Sequence, residues 1–181
     1  EGQKTGGAKR REGEEDVADW LRGRHVVVTG GGGGLGAAIA AAMAAEGANL
    51  TVMGRTPDSI EAQARTLQES SNIRTAAVVC DVSKPESVAQ AFARAVGELG
   101  PVQVLVNNAG VAAASTFAGT TLESWQQVLA VNLTGTFLCT QQVLPAMLNA
   151  SSGRIINIAS TAGLKGYARV AAYCAAKHGV V

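Results

Sequence analysis

His25-Val-Val-Val-Thr-Gly30 runs directly into Gly31-Gly-Gly-Gly-Leu-Gly36 and then into Ala37-Ala-Ile-Ala-Ala-Ala-Met43. The β-branched run reads as a buried parallel strand, and the alanine-rich segment after it as a helix. Glycines at such a turn let the backbone approach a pyrophosphate. The helix start adds unpaired N–H groups and the positive end of the helix dipole. Two fingerprints fit the same glycines. G-x-G-x-x-G matches at Gly31, Gly33 and Gly36; T-G-x-x-x-G-x-G matches at Thr29, Gly30, Gly34 and Gly36. A glycine run alone is also a common linker, but the strand before it and the helix after it argue against that reading here.

Working outward, strand and helix patterns alternate. Strands are predicted over residues 50–53, 75–80, 102–106 and 154–159, and helices over 57–69, 85–99, 120–131 and 133–149. Ser83-Lys-Pro-Glu86 is a capping-box start for the third helix, and Gly100-Pro101 is its stop. This alternation implies a doubly wound α/β fold, a parallel sheet with helices on both faces. In such a fold ligand sits beyond the carboxyl ends of the strands, beside the first. The glycine run, Arg55, Asp81, Asn108, Ala109, Gly110 and Ser160 all fall at predicted carboxyl ends.

Near the end of the chain, Tyr173 and Lys177 stand four residues apart, and Ser160 precedes the tyrosine by thirteen. On a helix, i and i+4 share a face. A free phenol is a poor proton donor or acceptor in neutral water. A cation within about 4–6 Å favours the phenolate and brings such a group toward the working range. By itself Y-x-x-x-K is a common surface spacing, and the glycine turn is what gives it weight.

Thr29-Gly30…Gly34-Leu35-Gly36 together with Tyr173 and Lys177 resembles the short-chain dehydrogenase/reductase family, and further stations match in order. Cys80-Asp81-Val82 closes a strand where the family contacts adenine. Leu105-Val-Asn-Asn108-Ala109-Gly110 resembles its N-N-A-G signature. Asn132 falls at its catalytic asparagine, and Arg154-Ile-Ile-Asn-Ile-Ala-Ser160 carries its catalytic serine. The resemblance covers residues 21–181. It implies a Rossmann-like fold and hydride transfer between a nicotinamide cofactor and a carbonyl or secondary alcohol. Tyr173 would be the acid/base. Lys177 would tune it and bond the nicotinamide ribose, and Ser160 would steady the substrate oxygen. Asn132 would hold a water that relays the proton; its other reading is a helix-interrupting side chain bonded to backbone. Gly30, Gly34, Leu35, Gly36, Asp81, Val82, Asn108, Ala109, Gly110, Tyr173 and Lys177 would line the cofactor.

Nucleotide choice turns on Val52-Met53-Gly54-Arg55. An acid at the end of the second strand selects NAD, whereas an arginine accommodates the 2′-phosphate of NADP. Gly54 replaces the acid and Arg55 follows, so NADP(H) is preferred, with NAD(H) possible. Asp58 lies past the strand, in the start of the next helix. The segments 111–115 and 161–170 are small or apolar, with Lys165 and Arg169 their only charges. A ketone or 3-oxoacyl thioester suits them better than a free sugar. The alternatives are an NAD-dependent hydroxy-compound dehydrogenase of the same family and a catalytically silent cofactor-binding protein. Silent members usually lose the Tyr, Lys or Ser, and all three are present.

The chain has 181 residues, enough for one domain with a sizeable core, here 20–181. Charged residues make up 16% and the formal net charge is +1, which gives no reason to expect nucleic acid or an anionic membrane as partner. Cys80, Cys139 and Cys174 are widely spaced, without a paired or metal-ligand pattern. No apolar run is long enough to span a bilayer, and no signal-like segment opens the chain. The expectation is a soluble cytoplasmic protein. Residues 1–19 mix short charge blocks and are expected to be flexible, with Lys9-Arg10-Arg11 offset by the acids after it. Val17, Trp20 and Leu21 are expected to make one helical turn. Family members continue through about two more strands after the lysine, whereas Val181 lies four residues past it. This leaves an apolar edge at the fifth strand, so the 181-residue chain is expected to be poorly soluble or dependent on partner contacts. The resemblance also implies a homo-oligomer, a dimer or tetramer, with Leu133, Phe137, Val143, Leu144 and Met147 of one long helix pairing across a two-fold axis.

Overall fold

The computed structural model describes residues 20–181; the charged stretch 1–19, including Lys9-Arg10-Arg11 and Val17, lies outside the described residues. Trp20 opens a turn at the base of the first strand, where the Arg24 guanidinium stacks 4.4 Å from its ring centroid. Five parallel strands follow: β1 (His25–Thr29), β2 (Asn49–Gly54), β3 (Thr75–Val79), β4 (Val104–Asn107) and β5 (Arg154–Asn157). Their order is β3-β2-β1-β4-β5, so the chain reverses its direction of winding between β1 and β4. The expected doubly wound Rossmann-like sheet is present.

Strand alternation divides the core. Val26 and Val28 of β1, Leu50 and Val52 of β2, and Val104 and Val106 of β4 point to one face. There they meet α1 (Gly34–Ala45) and α2 (Pro57–Ser71). Val27, Met53 and Leu105 point to the other, against α3 (Pro85–Leu99) and α5 (Gly135–Asn149). All nine of these strand residues are fully or almost fully buried, which is why the strands read as unbroken apolar runs. Alanine at 40 and 44 lets α1 lie close against the sheet.

Three expectations are corrected. The capping box does not form: α3 begins at Pro85 with Lys84 as N-cap and no side-chain cap. The Ser83 hydroxyl and N–H both donate to Asp81 Oδ1 instead, at 2.7 and 3.0 Å, because a local carboxylate is the stronger acceptor. The helical stretch expected over 120–149 is α4 (Leu122–Leu129) and α5 joined through a single π turn (Ala130–Thr134), with Asn132 at its centre. On α5, Val143 and Met147 face the core, whereas Phe137, Leu144 and Leu148 are exposed. The outward apolar stripe is therefore narrower than expected. Last comes α6 (Ala171–Val180), preceded by a 3₁₀ turn (Thr161–Gly163).

Candidate active site

The turn after β1 resolves the two glycine fingerprints. Gly30 and Gly34 adopt φ +63 and +53, the left-handed region glycine enters without cost. A methyl group on Gly36 would overlap the carbonyl oxygen of Gly30 and come within 2.5 Å of Asn108 Nδ2. Gly33 meets open space and has no such requirement. The geometry thus follows T-G-x-x-x-G-x-G.

Thr29 and Asn108 hold this turn in place. Thr29 Oγ1 accepts from the N–H groups of Asn108 and Ala109, at 3.0 and 3.1 Å. Asn108 Nδ2 donates to the carbonyls of Thr29 and Gly30, at 2.9 and 3.2 Å. Asn108 was expected as a cofactor residue; in the structure its amide braces the glycine turn against the end of β4. Thr29 belongs to the fingerprint but was not singled out as a site residue, and its hydroxyl links the two strand ends.

Beyond these strand ends lies a cleft of about 140 Å³, lined by Gly30, Arg55, Asp81, Val82, Ala109 and Gly110 among others. The N-terminus of α1 opens beside it. Its N-cap, Gly33, has no side-chain cap, and no acid occupies the first turn. Leu35 is exposed there at 59%. Uncapped N–H groups, glycines with open space and an unpartnered apolar side chain fit a dinucleotide. At the end of β2, Gly54 packs against Ile60, whose Cγ2 would lie 2.8 Å from an added Cβ, so this strand end is shaped around glycine. Arg55 is exposed and, among the described residues, makes no ion pair or hydrogen bond. Asp58 sits in the first turn of α2, past the strand end in the chain. Asp81 is held by Ser83. That hydroxyl, with smaller help from the Ser83 N–H and the Lys84 and Arg55 charges, keeps its carboxyl below the usual range against the opposing effect of burial.

The second half of the site stands on β5 and α6. Tyr173 and Lys177 share the inner face of α6, with Lys177 Nζ 5.7 Å from the Tyr173 ring centroid. Lys177 is buried, and its ammonium donates to the carbonyl of Ile158 at 2.6 Å. Burial lowers its pKa below the ordinary lysine value. Ser160 caps the 3₁₀ turn: its Oγ accepts from the Ala162 N–H at 3.1 Å. That bond uses a lone pair and leaves the hydroxyl proton free to donate.

Asn132 makes the backbone bonds of the second reading weighed for it. Its Nδ2 donates to the carbonyls of Val128 and Val111, at 2.8 and 2.7 Å, stabilising the π turn and tying it to the loop after β4. Its Oδ1 is buried without a hydrogen-bond partner among the described residues, 2.8 Å from where a Cβ on Gly110 would stand. Glycine at 110 therefore keeps that oxygen clear. The π turn packs against α6, the helix of Tyr173 and Lys177. No line of residues 120–149 announced the π turn; a polar asparagine in an apolar run was its only trace.

Comparison with known proteins places the chain in a family. Residues 24–181 match the family model described as short chain dehydrogenase. The chain is 40% identical over 161 residues to D-beta-hydroxybutyrate dehydrogenase of Cupriavidus necator, covering 89% of this chain and 62% of that protein. It is 34% identical over 161 residues to the 3-oxoacyl-[acyl-carrier-protein] reductase of Aquifex aeolicus, covering 89% and 65%. It thus spans less than two thirds of the length of both relatives. Among solved structures, a metagenomic short-chain oxidoreductase in complex with NADP superposes with a TM-score of 0.84 at 34% identity, over 88% of this chain and 72% of that one.

Proposed function

The chain belongs to the short-chain dehydrogenase family, and on that footing we propose that it moves a hydride between NADP(H) and a ketone or secondary alcohol, with Tyr173 as acid and base. The observation that carries the reading is the placing of Lys177. A buried ammonium, fixed by the Ile158 carbonyl and lying beside the Tyr173 ring, is costly to maintain without a task for the charge.

A bound nicotinamide supplies or accepts the hydride. Its dinucleotide would be held by the glycine turn and α1 N-terminus, by Asp81 and Val82, and by Asn108–Gly110 backbone. Arg55 supports NADP over NAD, as an exposed cation without an ion pair among the described residues, at the place where a 2′-phosphate is read. Tyr173 gives its phenolic proton to the carbonyl oxygen in reduction and takes it back in oxidation. The Ser160 hydroxyl, already oriented by Ala162 N–H, donates to the same oxygen and stabilises its developing charge. Asn132 Oδ1 accepts from a water that returns protons toward Lys177 and Tyr173. Among substrates, a 3-oxoacyl thioester or similar ketone is favoured by the small and apolar walls at 111–115 and 161–163 and by the likeness to a 3-oxoacyl reductase. The exposed Phe137, Leu144 and Leu148 support a homo-oligomer.

Tyr173→Phe keeps the ring and its packing and removes only the proton. Turnover of a ketone panel with NADPH should fall by about 10²–10⁴-fold, with NADPH affinity nearly unchanged. A variant within about threefold of the parent would exclude Tyr173 as the acid/base.

A further inference from the structure

Carboxylates almost vanish from the catalytic half of the chain. Residues 99–181 contain one acid, Glu123, against Arg154, Lys165, Arg169 and Lys177. Arg154 stands at the opposite end of the sheet, 5.3 Å from the Trp20 ring, and Lys177 is buried in the site. Lys165 and Arg169 remain. Both are exposed on the segment that joins the turn after Ser160 to the helix of Tyr173.

That segment is built rather than loose. Arg169 adopts φ +67, a conformation uncommon for any residue but glycine. In it, the Arg169 carbonyl accepts the Ser115 N–H at 2.8 Å, drawing the loop after β4 to the same rim. The Tyr167 hydroxyl donates to Thr161 Oγ1 at 3.0 Å, and its N–H donates to Cys174 Sγ at 3.3 Å. One bond reaches the serine turn and the other the tyrosine helix. Lys165 Nζ lies 5.1 Å from the Tyr167 ring centroid, which steadies its stem. Among the described residues neither cation has a carboxylate partner, and the Arg169 guanidinium makes no hydrogen bond. A left-handed backbone kept at arginine, in the stretch of the chain almost without acids, leaves two exposed positive charges beside the serine turn and the tyrosine helix.

We infer that Lys165 and Arg169 form a cationic rim that receives an anionic group carried by the carbonyl substrate. The group is either the carboxylate of an oxo acid or the phosphates on the carrier of an oxoacyl thioester. The inference rests on the hydride-transfer reading and narrows its substrate class. Charge-assisted pairing at the rim would orient the ketone toward Ser160 and Tyr173 and leave the chemistry unchanged.

The test uses the full-length protein with bound NADP and three probes: 3-oxobutanoate, 3-oxobutanoyl-coenzyme A, and the uncharged N-acetylcysteamine thioester of the same acyl group. Calorimetry should show at least one anion binding about tenfold tighter than the neutral thioester, an advantage that shrinks with salt. Arg169→Gly suits the positive φ and so preserves the fold while deleting the charge. With Lys165→Gln it should abolish the anion's advantage and leave neutral-thioester binding within about twofold, while Arg169→Lys should retain most of it. Whichever anion responds identifies carboxylate or phosphate as the group. Equal binding of all three probes, equal losses for all three in the variants, or no binding of any would overturn the rim. Turnover judges the other reading separately. Charge-selective binding with no reduction of the bound probe, or reduction that survives Tyr173→Phe, would leave the rim standing and remove the proposed catalysis.

Discussion

At the end of β2, Gly54 keeps side-chain atoms out of the cleft while Arg55 adds an exposed guanidinium to its wall. The pair was legible in the sequence because the end of the second strand is a fixed place in this fold. What the structure added is that Gly54 is also wedged against Ile60, so an aspartate there would have to displace a fully buried side chain. Arg55→Ala is therefore the cleaner probe of nucleotide choice. It should weaken NADPH by about 1.5–3 kcal/mol, the worth of a hydrogen bond to a charged group. That is about 10- to 150-fold in Kd. NADH should be little affected, and titration of both cofactors at one ionic strength would show it. Tighter binding of NADH by the parent protein would reverse the preference. Asn108 and Asn132 teach a different lesson at the same scale. The motif located both, but only packing showed that Asn108 spends its amide on the glycine turn, and that Asn132 spends its nitrogen on backbone and keeps its oxygen open.

Among the elements, β1 carries information at both ends. Its carboxyl end opens into the site, and its amino end is closed by His25, whose ring is buried. Nδ1 lies 2.7 Å from the Gly100 carbonyl, which can only accept, so that nitrogen carries the proton. Nε2 then accepts from the Thr51 hydroxyl at 2.8 Å. The ring thus ties β1 to β2 and to the end of α3 as a neutral tautomer. Burial lowers its pKa below the ordinary histidine value. The sign follows: the folded state favours the neutral ring, so its contribution is complete above the unfolded pKa, about 6.5. It is lost as the pH falls below that. Urea midpoints should therefore drop between pH 7.5 and pH 5.5, and His25→Gln should flatten the drop while lowering stability at the higher pH. An unchanged pH slope in that variant would place the acid sensitivity elsewhere. The π turn between α4 and α5 lay beyond sequence reading, since its residues have ordinary helical character and the extra residue per turn is stabilised by contacts to Val111 from another part of the chain.

For the whole molecule, the sheet order places every strand end that carries chemistry on one rim, and leaves the outer face of α5 uncovered. Phe137, Leu144 and Leu148 are 57%, 41% and 69% exposed there, at helical spacing. Two copies meeting at this stripe would each bury side chains worth about 1.5–3 kcal/mol apiece when fully covered. We expect light scattering to show self-association of the protein. Leu144→Asp with Leu148→Asp should shift it to monomers, raising the dissociation constant by at least about 100-fold. A parent protein that is monomeric at tens of micromolar would remove the stripe from consideration. The sequence alone determined the alternation of strand and helix and the glycine turn after the first strand, which depend on period and glycine placement along the chain, local properties. Tyr173, Lys177, Ser160 and Asn132 were marked as candidates by the family resemblance that their order along the chain carries. Tertiary structure decided which glycine fingerprint applies, which face of α5 is buried, and how Lys177 is held under the tyrosine. It also decided how the segment of Lys165 and Arg169 is tied to the serine turn, the tyrosine helix and the loop after β4. Each of those depends on which distant segment lies opposite, and the spacing of residues along one segment carries no record of its neighbour across the fold.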